Sequence, residues 1–401
     1  MGRPPAGRLM ERRLPPSPPA LGDLTQDAAA AMRSLAGSTV EPFLLAAFPW
    51  FVTNPYQALL YGSCREHGIA PVRVVRDEQL DEVLELQRAG LPTVLHLHWL
   101  HPILQRAASA KDARQLVDAF LHRLDTHRES GGRVVWTVHN ILPHEARFEA
   151  EETRLSAEVA ARSEVIHVLV QRTAEMVAPY FELPRDRLLH VPHMSYVGAY
   201  EDHISRADAR HDLGLLPDEL VYLVLGAIRP YKGLPELLDA WATLPPDRPR
   251  RLVIAGAPSD QPGIDELIER AALAPGVLLD ARKIPAPEMQ TFLRAADVAV
   301  LPYRQALNSG ALMLALTFGL PVIVPAGSGL ADVVDDRFGR TFDPAGATGL
   351  ADALLDAPGL VSESARAAAT ATAADLRPSV VAGRFALGLR ERLDRAASTA
   401  A

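Results

Sequence analysis

Cysteine is nearly absent: Cys64 is the only one in 401 residues. That excludes a disulfide framework within the chain and a zinc site built from cysteines. No run of about 18 apolar residues occurs, so no membrane-spanning helix is expected. Arg3, Arg8, Arg12 and Arg13 crowd the amino end. No apolar core follows them, so the segment does not read as a secretion signal, and a cytoplasmic location is the default expectation. Three common chemical signatures are also missing. No Gly-x-Gly-x-x-Gly follows a strand, no Gly-x-x-x-x-Gly-Lys-Ser/Thr loop is present, and Gly-x-Ser-x-Gly does not occur. His144-Glu145 is not part of a His-Glu-x-x-His zinc helix. Positive charge is in deficit: 41 Lys and Arg against 49 Asp and Glu give a net charge of −8. Nucleic acid is therefore not expected as a partner held by bulk charge. Between Asp297 and Asp332 there is no carboxylate, and Arg304 is the only formal charge.

What is present reads as an ordinary soluble composition, 48% hydrophobic and 22% charged, in a chain long enough for two domains. Residues 1–24 are rich in Pro, Gly and Arg and read as a disordered tail, with a basic docking arm as the alternative. A short helix is expected at Ala28 to Leu35, and ordered structure from about Glu41, so residues 1–38 are set apart as tail. Buried strands are expected at Phe43–Ala47, Pro71–Val75, Thr93–Leu97, Val134–Val138 and Val165–Leu169. Helical spacing lies between them, as in Leu116, Phe120 and Leu124. The stretch from Val191 to Leu216 is rich in loop residues. The alternation then restarts with strands at Val221–Leu225, Arg251–Ala255, Val277–Asp280, Val298–Leu301 and Val322–Val324. Alternating strands and helices imply parallel sheets covered on both faces. The expected fold is α/β: two Rossmann-like, doubly wound domains, 39–197 and 198–378, facing a cleft. The last helix, 379–398, is expected to pack back on the first domain, with Arg384, Arg390, Arg392 and Arg395 on its outer face. A ligand belongs in the crevice outside the carboxyl ends of the strands.

Two stretches suit an anion there. Gly226-Ala-Ile-Arg-Pro-Tyr-Lys-Gly-Leu234 puts Arg229 and Lys232 in a glycine-bounded turn at a strand's carboxyl end. A guanidinium fork and a point charge together suit a diphosphate, the alternative being two solvated loop cations. In Asn308-Ser309-Gly310, Ser309 is a good helix N-cap and Gly310 permits close approach to the backbone. A helix start free of carboxylates favours a bound anion, although the same residues also suit an ordinary strand-to-helix turn. Histidines cluster in the first half. His96-Leu-His-Trp-Leu-His101 ends one strand, with His96 and His98 on the same side. Val138-His-Asn140 ends the next. His139 is either a satisfied strand-end histidine or a group that works on a ligand. A metal is not expected, because no carboxylate stands at ligand spacing from these histidines.

Over about residues 43 to 370 the chain resembles the GT-B glycosyltransferases, close to their family-four group. The resemblance rests on Gly226 to Leu234, on Ala296-Asp-Val-Ala-Val-Leu-Pro-Tyr303, on Ser309-Gly-Ala-Leu312 with Gly319-Leu-Pro-Val322, and on Trp136-Thr-Val-His-Asn140. It implies donor diphosphate binding by Arg229, Lys232 and the backbone of Ser309, Gly310, Ala311 and Leu312, and a catalytic place for His139 near the reacting sugar. Asn54 and Tyr56, in Asn-Pro-Tyr, match the first loop of the acceptor domain. His193 matches the inter-domain stretch; His98, Asn140 and Asn308 are further candidate contacts. Two departures stand out. The family's two glutamates, eight positions apart, are Ala306 and Leu314 here, which weakens the expectation of a retaining reaction. The arginine common after the first glycine is Ala227, with Arg229 two residues later. The implied activity is metal-independent hexosyl transfer from a nucleotide diphosphate sugar, with GDP-mannose expected, to a glycan or lipid-linked acceptor. No cofactor is implied beyond that co-substrate. A sugar-nucleotide-binding protein without catalysis and a nucleotide-sugar epimerase are the alternatives. Peripheral membrane contact at the inner face stays open: Arg106, Lys111 and Arg114 flank Ile103 and Leu104, with a solvated surface as the other reading.

Overall fold

The computed structural model describes residues 23–141, 147–346 and 348–400. His144, Glu145 and most of the amino-terminal tail lie outside them. Two six-stranded sheets are present, parallel at every pairing. The first contains β1 (Phe43–Phe48), β2 (Ile69–Arg73), β3 (Thr93–Leu97), β4 (Arg133–Val138), β5 (Val165–Val168) and β6 (Leu188–His190), in the order β2-β1-β3-β4-β5-β6. The second contains β7 (Leu220–Leu225), β8 (Arg250–Ala255), β9 (Val277–Asp280), β10 (Val298–Val300), β11 (Val322–Pro325) and β12 (Gly339–Phe342), in the order β12-β11-β10-β7-β8-β9. The doubly wound α/β reading holds, with one more strand in each sheet than the sequence indicates. β6 and β12 are short edge strands with polar residues at His190, Arg340 and Thr341. Neither carries the continuous apolar run of a central strand.

Alternation within the strands separates two cores. In β1, Leu44, Ala46 and Phe48 face one way, joined by Leu95, Leu97, Val134, Trp136 and Val138. Phe43, Leu45 and Ala47 face the other way. That second face is covered by the last helix, Pro378–Ala400, whose Val381, Phe385, Ala386, Leu389 and Leu393 are fully buried. Each large side chain among them contributes about 1.5–3 kcal/mol by leaving water. Two of its basic residues are tied down: Arg390 pairs with Asp394 and donates to the Glu41 carbonyl, and Arg392 donates to the Asp186 carbonyl.

Two expectations need correction. The tail assignment fails from residue 23 onward. A helix at Leu24–Arg33, earlier than the expected 28–35, is capped by the Asp23 side chain and buries Leu24, Ala28 and Ala31 against the first sheet. The stretch read as loop after Val191 contains a helix, Arg206–Asp212, capped by Ser205. Around Ile103 the charged residues Arg106 and Arg114 are paired within the protein. Leu104 belongs to the core, while Arg106 pairs with Asp77 at 2.5 Å and Arg114 with Glu151 at 3.0 Å.

Candidate active site

The carboxyl ends of the two sheets face one another across a cleft of about 940 Å³. Its second-domain wall begins where β7 ends. Gly233 has φ 67°, and a Cβ there would sit 1.8 Å from the Pro302 carbonyl oxygen, so only glycine lets this turn lie against the loop after β10. The turn places Arg229 and Lys232 on the cleft wall. Lys232 is half-buried, with its ammonium 5.5 Å from the centre of the Tyr303 ring. Desolvation lowers its pKa; Arg229 adds to the shift and Tyr231 opposes it. Arg229 reaches across the cleft electrostatically: the His101 pKa is lowered by burial first and by Arg229 second.

Ser309 caps the helix Gly310–Thr317, its Oγ accepting from the Leu312 N–H at 3.2 Å. Ser309, Gly310 and Ala311 line the cleft. Leu312 does not join them. Its side chain is buried and its N–H is taken up by the cap, so the expectation that Leu312 serves a diphosphate is corrected. The N–H groups of Gly310 and Ala311 open the helix, where no intrahelical acceptor exists for them. A Cβ on Gly310 would lie 2.9 Å from the Tyr196 hydroxyl oxygen. Arg304 turns to Glu236 at 2.5 Å. Ala306 lines the cleft and Leu314 is buried in the core, so neither place holds a carboxylate.

The first-domain wall carries Trp99, His101 and Asn140. Behind it lies a buried array. The His139 ring stacks on Trp99 with centroids 4.0 Å apart, and its Nε2 is 3.0 Å from His98 Nδ1. His98 Nε2 and His96 Nδ1 both contact the Tyr61 hydroxyl, at 2.6 and 2.7 Å. The ring nitrogens of His96 and His98 are thus engaged in hydrogen bonds within the protein. Desolvation holds His96, His98 and His139 well below the ordinary histidine pKa, and His167 and His193 at about 4. Tyr56 is fully buried against His139 and His193. Asn54 accepts from the Tyr56 N–H at 3.0 Å, and His193 Nδ1 donates to the Met194 carbonyl at 2.7 Å. Asn54, Tyr56, His98 and His193 therefore support the wall from behind, whereas Asn140 and Asn308 stand on it.

Among the described residues, polar contacts join the walls. Asn308 Nδ2 donates to the His139 carbonyl at 2.7 Å, and Arg172 pairs with Asp332 at 2.7 Å. The structure adds one group that sequence reasoning missed. Glu152, in the first turn of the helix Glu149–Arg162, is buried, lines the cleft, and has its carboxyl pushed up to about 7 by burial. Its neighbour Glu151 pairs with Arg114 and Arg154.

A model of the family described as Glycosyl transferases group 1 matches residues 219–357. A Xanthomonas campestris protein described as GDP-mannose:glycolipid 4-beta-D-mannosyltransferase is 30% identical over 322 residues, spanning 76% of this chain and 81% of its own. The chain belongs to the group 1 glycosyltransferases. The transferase is also 31% identical over 196 residues to the D-inositol 3-phosphate glycosyltransferase of Jonesia denitrificans, covering 47% of this chain and 42% of that one. Among solved structures it is similar to sucrose-phosphate synthase from Thermosynechococcus elongatus, with TM-score 0.65, 17% identity, and coverage of 90% of this chain and 100% of that one. It is equally similar to Anabaena HepE crystallised with UDP-glucose, with TM-score 0.65, 14% identity, and coverage of 87% and 99%. The transferase therefore has the GT-B fold.

Proposed function

We propose that this glycosyltransferase moves a hexosyl unit from a nucleotide diphosphate sugar, GDP-mannose, to a glycan or lipid-linked acceptor held by the first domain. The observation that carries the reading is the convergence of Arg229, Lys232 and the 310–317 helix start on one cleft opposite Trp99, Asn140 and Glu152. Two cations and a helix N-terminus offset the diphosphate charge and stabilise it as it leaves, without requiring a divalent metal or another cofactor. The choice of donor is supported by the Xanthomonas relative, whose described product is a β-mannoside. GDP-mannose holds its sugar through an α-linkage, so a β-product requires inversion. In that step the acceptor oxygen forms a bond to the anomeric carbon as the bond to the diphosphate oxygen breaks, and the hydroxyl proton passes to a base. Glu152 suits that base, because its pKa lies near neutrality. Inversion also makes no demand on carboxylates at Ala306 and Leu314. The His139 ring would hold a hydroxyl of the reacting sugar or acceptor.

The described residues contain no helix long and apolar enough to cross a membrane. A lipid-linked acceptor, in keeping with the relative's glycolipid, would be met by peripheral contact at the inner face. The test is a panel of nucleotide sugars with lipid-linked and free acceptors, read by nucleoside diphosphate release and by NMR of the new anomeric centre. Release from GDP-mannose with formation of a β-linkage is expected. Donor binding with no turnover on any acceptor would support a binding protein instead. Conversion of the nucleotide sugar without diphosphate release would support an epimerase.

A further inference from the structure

The polar side chains on the covered face of the first sheet form one unbranched chain of hydrogen bonds. It begins at the Val191 carbonyl, 3.0 Å from His167 Nε2. Thr137 Oγ1 then bridges His167 Nδ1 at 3.0 Å and His96 Nε2 at 2.7 Å. The Tyr61 hydroxyl bridges His96 and His98, and His98 meets His139. All six side chains are buried.

The direction of every bond follows from the first. A carbonyl only accepts, so His167 donates through Nε2. A neutral ring has one N–H, so His167 Nδ1 accepts, and the Thr137 hydroxyl donates to it. The hydroxyl proton is then spent, so His96 donates to Thr137 through Nε2 and accepts at Nδ1 from Tyr61. The Tyr61 oxygen in turn accepts from His98 Nε2, and His98 Nδ1 accepts from His139 Nε2. Desolvation keeps the four rings neutral, as this ordering requires. The last ring therefore has its proton on Nε2 and a lone pair on Nδ1.

We propose that this chain fixes His139 as a hydrogen-bond acceptor at Nδ1, and that Tyr61, His96, His98, Thr137 and His167 are positioning residues for it. His139 borders a recess of about 30 Å³ that shares Trp99, His101 and Asn140 with the main cleft. Resting on the transferase reading, this sets a specificity. The sugar or acceptor must offer His139 a hydroxyl, and an analogue with a ketone or an ether oxygen at that place is rejected because lone pair would face lone pair.

The chain is tested on the whole protein labelled with 15N-histidine. The His139 signals, assigned by their loss in His139→Asn, are expected to show a protonated Nε2 and a bare Nδ1. Thr137→Val removes the bridging hydroxyl with little change of shape, and Thr137→Ser keeps it. In the valine variant His139 is expected to become a mixture of tautomers, with kcat down about tenfold and the donor KM unchanged. The serine variant is expected to keep the wild-type nitrogen pattern and to restore turnover. A proton on Nδ1 of His139 in the wild type, or an unchanged pattern in Thr137→Val, overturns the proposal. Tyr61→Phe breaks the chain at its middle and reads the same effect should the valine variant not fold. The nitrogen pattern needs no substrate, so failure of transfer on the nucleotide-sugar panel is distinguishable from failure of this chain.

Discussion

Replacing Lys232 by Met should separate binding from stability. Methionine keeps an unbranched stem against Tyr303 and removes the charge. A charge-assisted contact between an ammonium and a diphosphate oxygen contributes about 1.5–3 kcal/mol. Its loss should lower kcat/KM for the donor by about 10- to 150-fold. Part of that loss should appear in kcat, because the leaving diphosphate gains charge in the transition state. The empty protein should respond in the opposite direction. The Lys232 pKa is lowered chiefly by desolvation, so at neutral pH the charged form weakens the fold. Lys232→Met should raise Tm slightly, the gain being limited because the side chain is only half-buried. The sign can be checked against pH. Between the depressed folded pKa and the ordinary value of 10.5, the unfolded chain binds more protons than the folded one. Wild-type stability therefore rises relative to the variant as pH climbs through that window. Steady-state kinetics of nucleoside diphosphate release, with thermal melts of the empty protein, measure both. Unchanged donor kcat/KM, or a lowered Tm, would refute the reasoning.

Four further outcomes are expected. Glu152 should act as carboxylate, so turnover should rise with pH through about 7; Glu152→Gln should abolish that limb and lower kcat by about 10²–10⁴-fold in pH–rate profiles. The same raised pKa makes the wild-type fold lose stability as pH rises from 4.5 toward 7, because the unfolded carboxyl has already released its proton, and the glutamine variant should lack this slope in pH-dependent denaturation. Gly233→Ala puts an L-residue at φ 67° and a methyl against the Pro302 carbonyl; the backbone term alone costs about 1–3 kcal/mol, and urea unfolding should show at least that loss together with weakened donor binding. Phe385→Ala should destabilise the protein by about 3–5 kcal/mol in the same assay, since the ring is fully buried against His96, Tyr61 and His167.

The parts of the site legible in the sequence are those whose chemistry is local. Ser309 reads as a cap from its own side chain and its place before an apolar helix. Gly226 and Gly233 bracket Arg229 and Lys232 within a few residues of a strand end. Trp136 to Asn140 reads as a strand running into a loop. What was hidden depends on residues far apart in the chain. Tyr61 lies 35 residues from His96 and 37 from His98, and no periodicity connects them. Glu152 follows Glu151 at a helix start, where acidic residues are common for reasons of dipole alone; only the packing shows that one pairs with arginines and the other lines the cleft. The start of the Leu24–Arg33 helix is set four residues too late, because a run of alanines next to a Pro-rich tail marks no boundary. Leu312 was misjudged because the cap that Ser309 provides uses the very N–H group assigned to the ligand.

The covering of the first sheet by the 378–400 helix has a consequence for biosynthesis. Phe385 emerges from the ribosome only after every strand of the second sheet has been made. At about 5–20 residues per second, the nascent first domain waits on the order of ten to forty seconds with one face of its sheet uncovered. Over that interval Leu45, Ala47 and Val135 lack the apolar cover that this helix later supplies. The four histidines and their hydroxyl partners are likewise still open to water, free to exchange tautomers and protons. Closure by the last helix is then the event that expels the water and, on the proposed ordering, settles the proton pattern, so the second sheet is synthesised before the first domain is complete. Stalled or shortened chains would expose the uncovered sheet face and become substrates for chaperones.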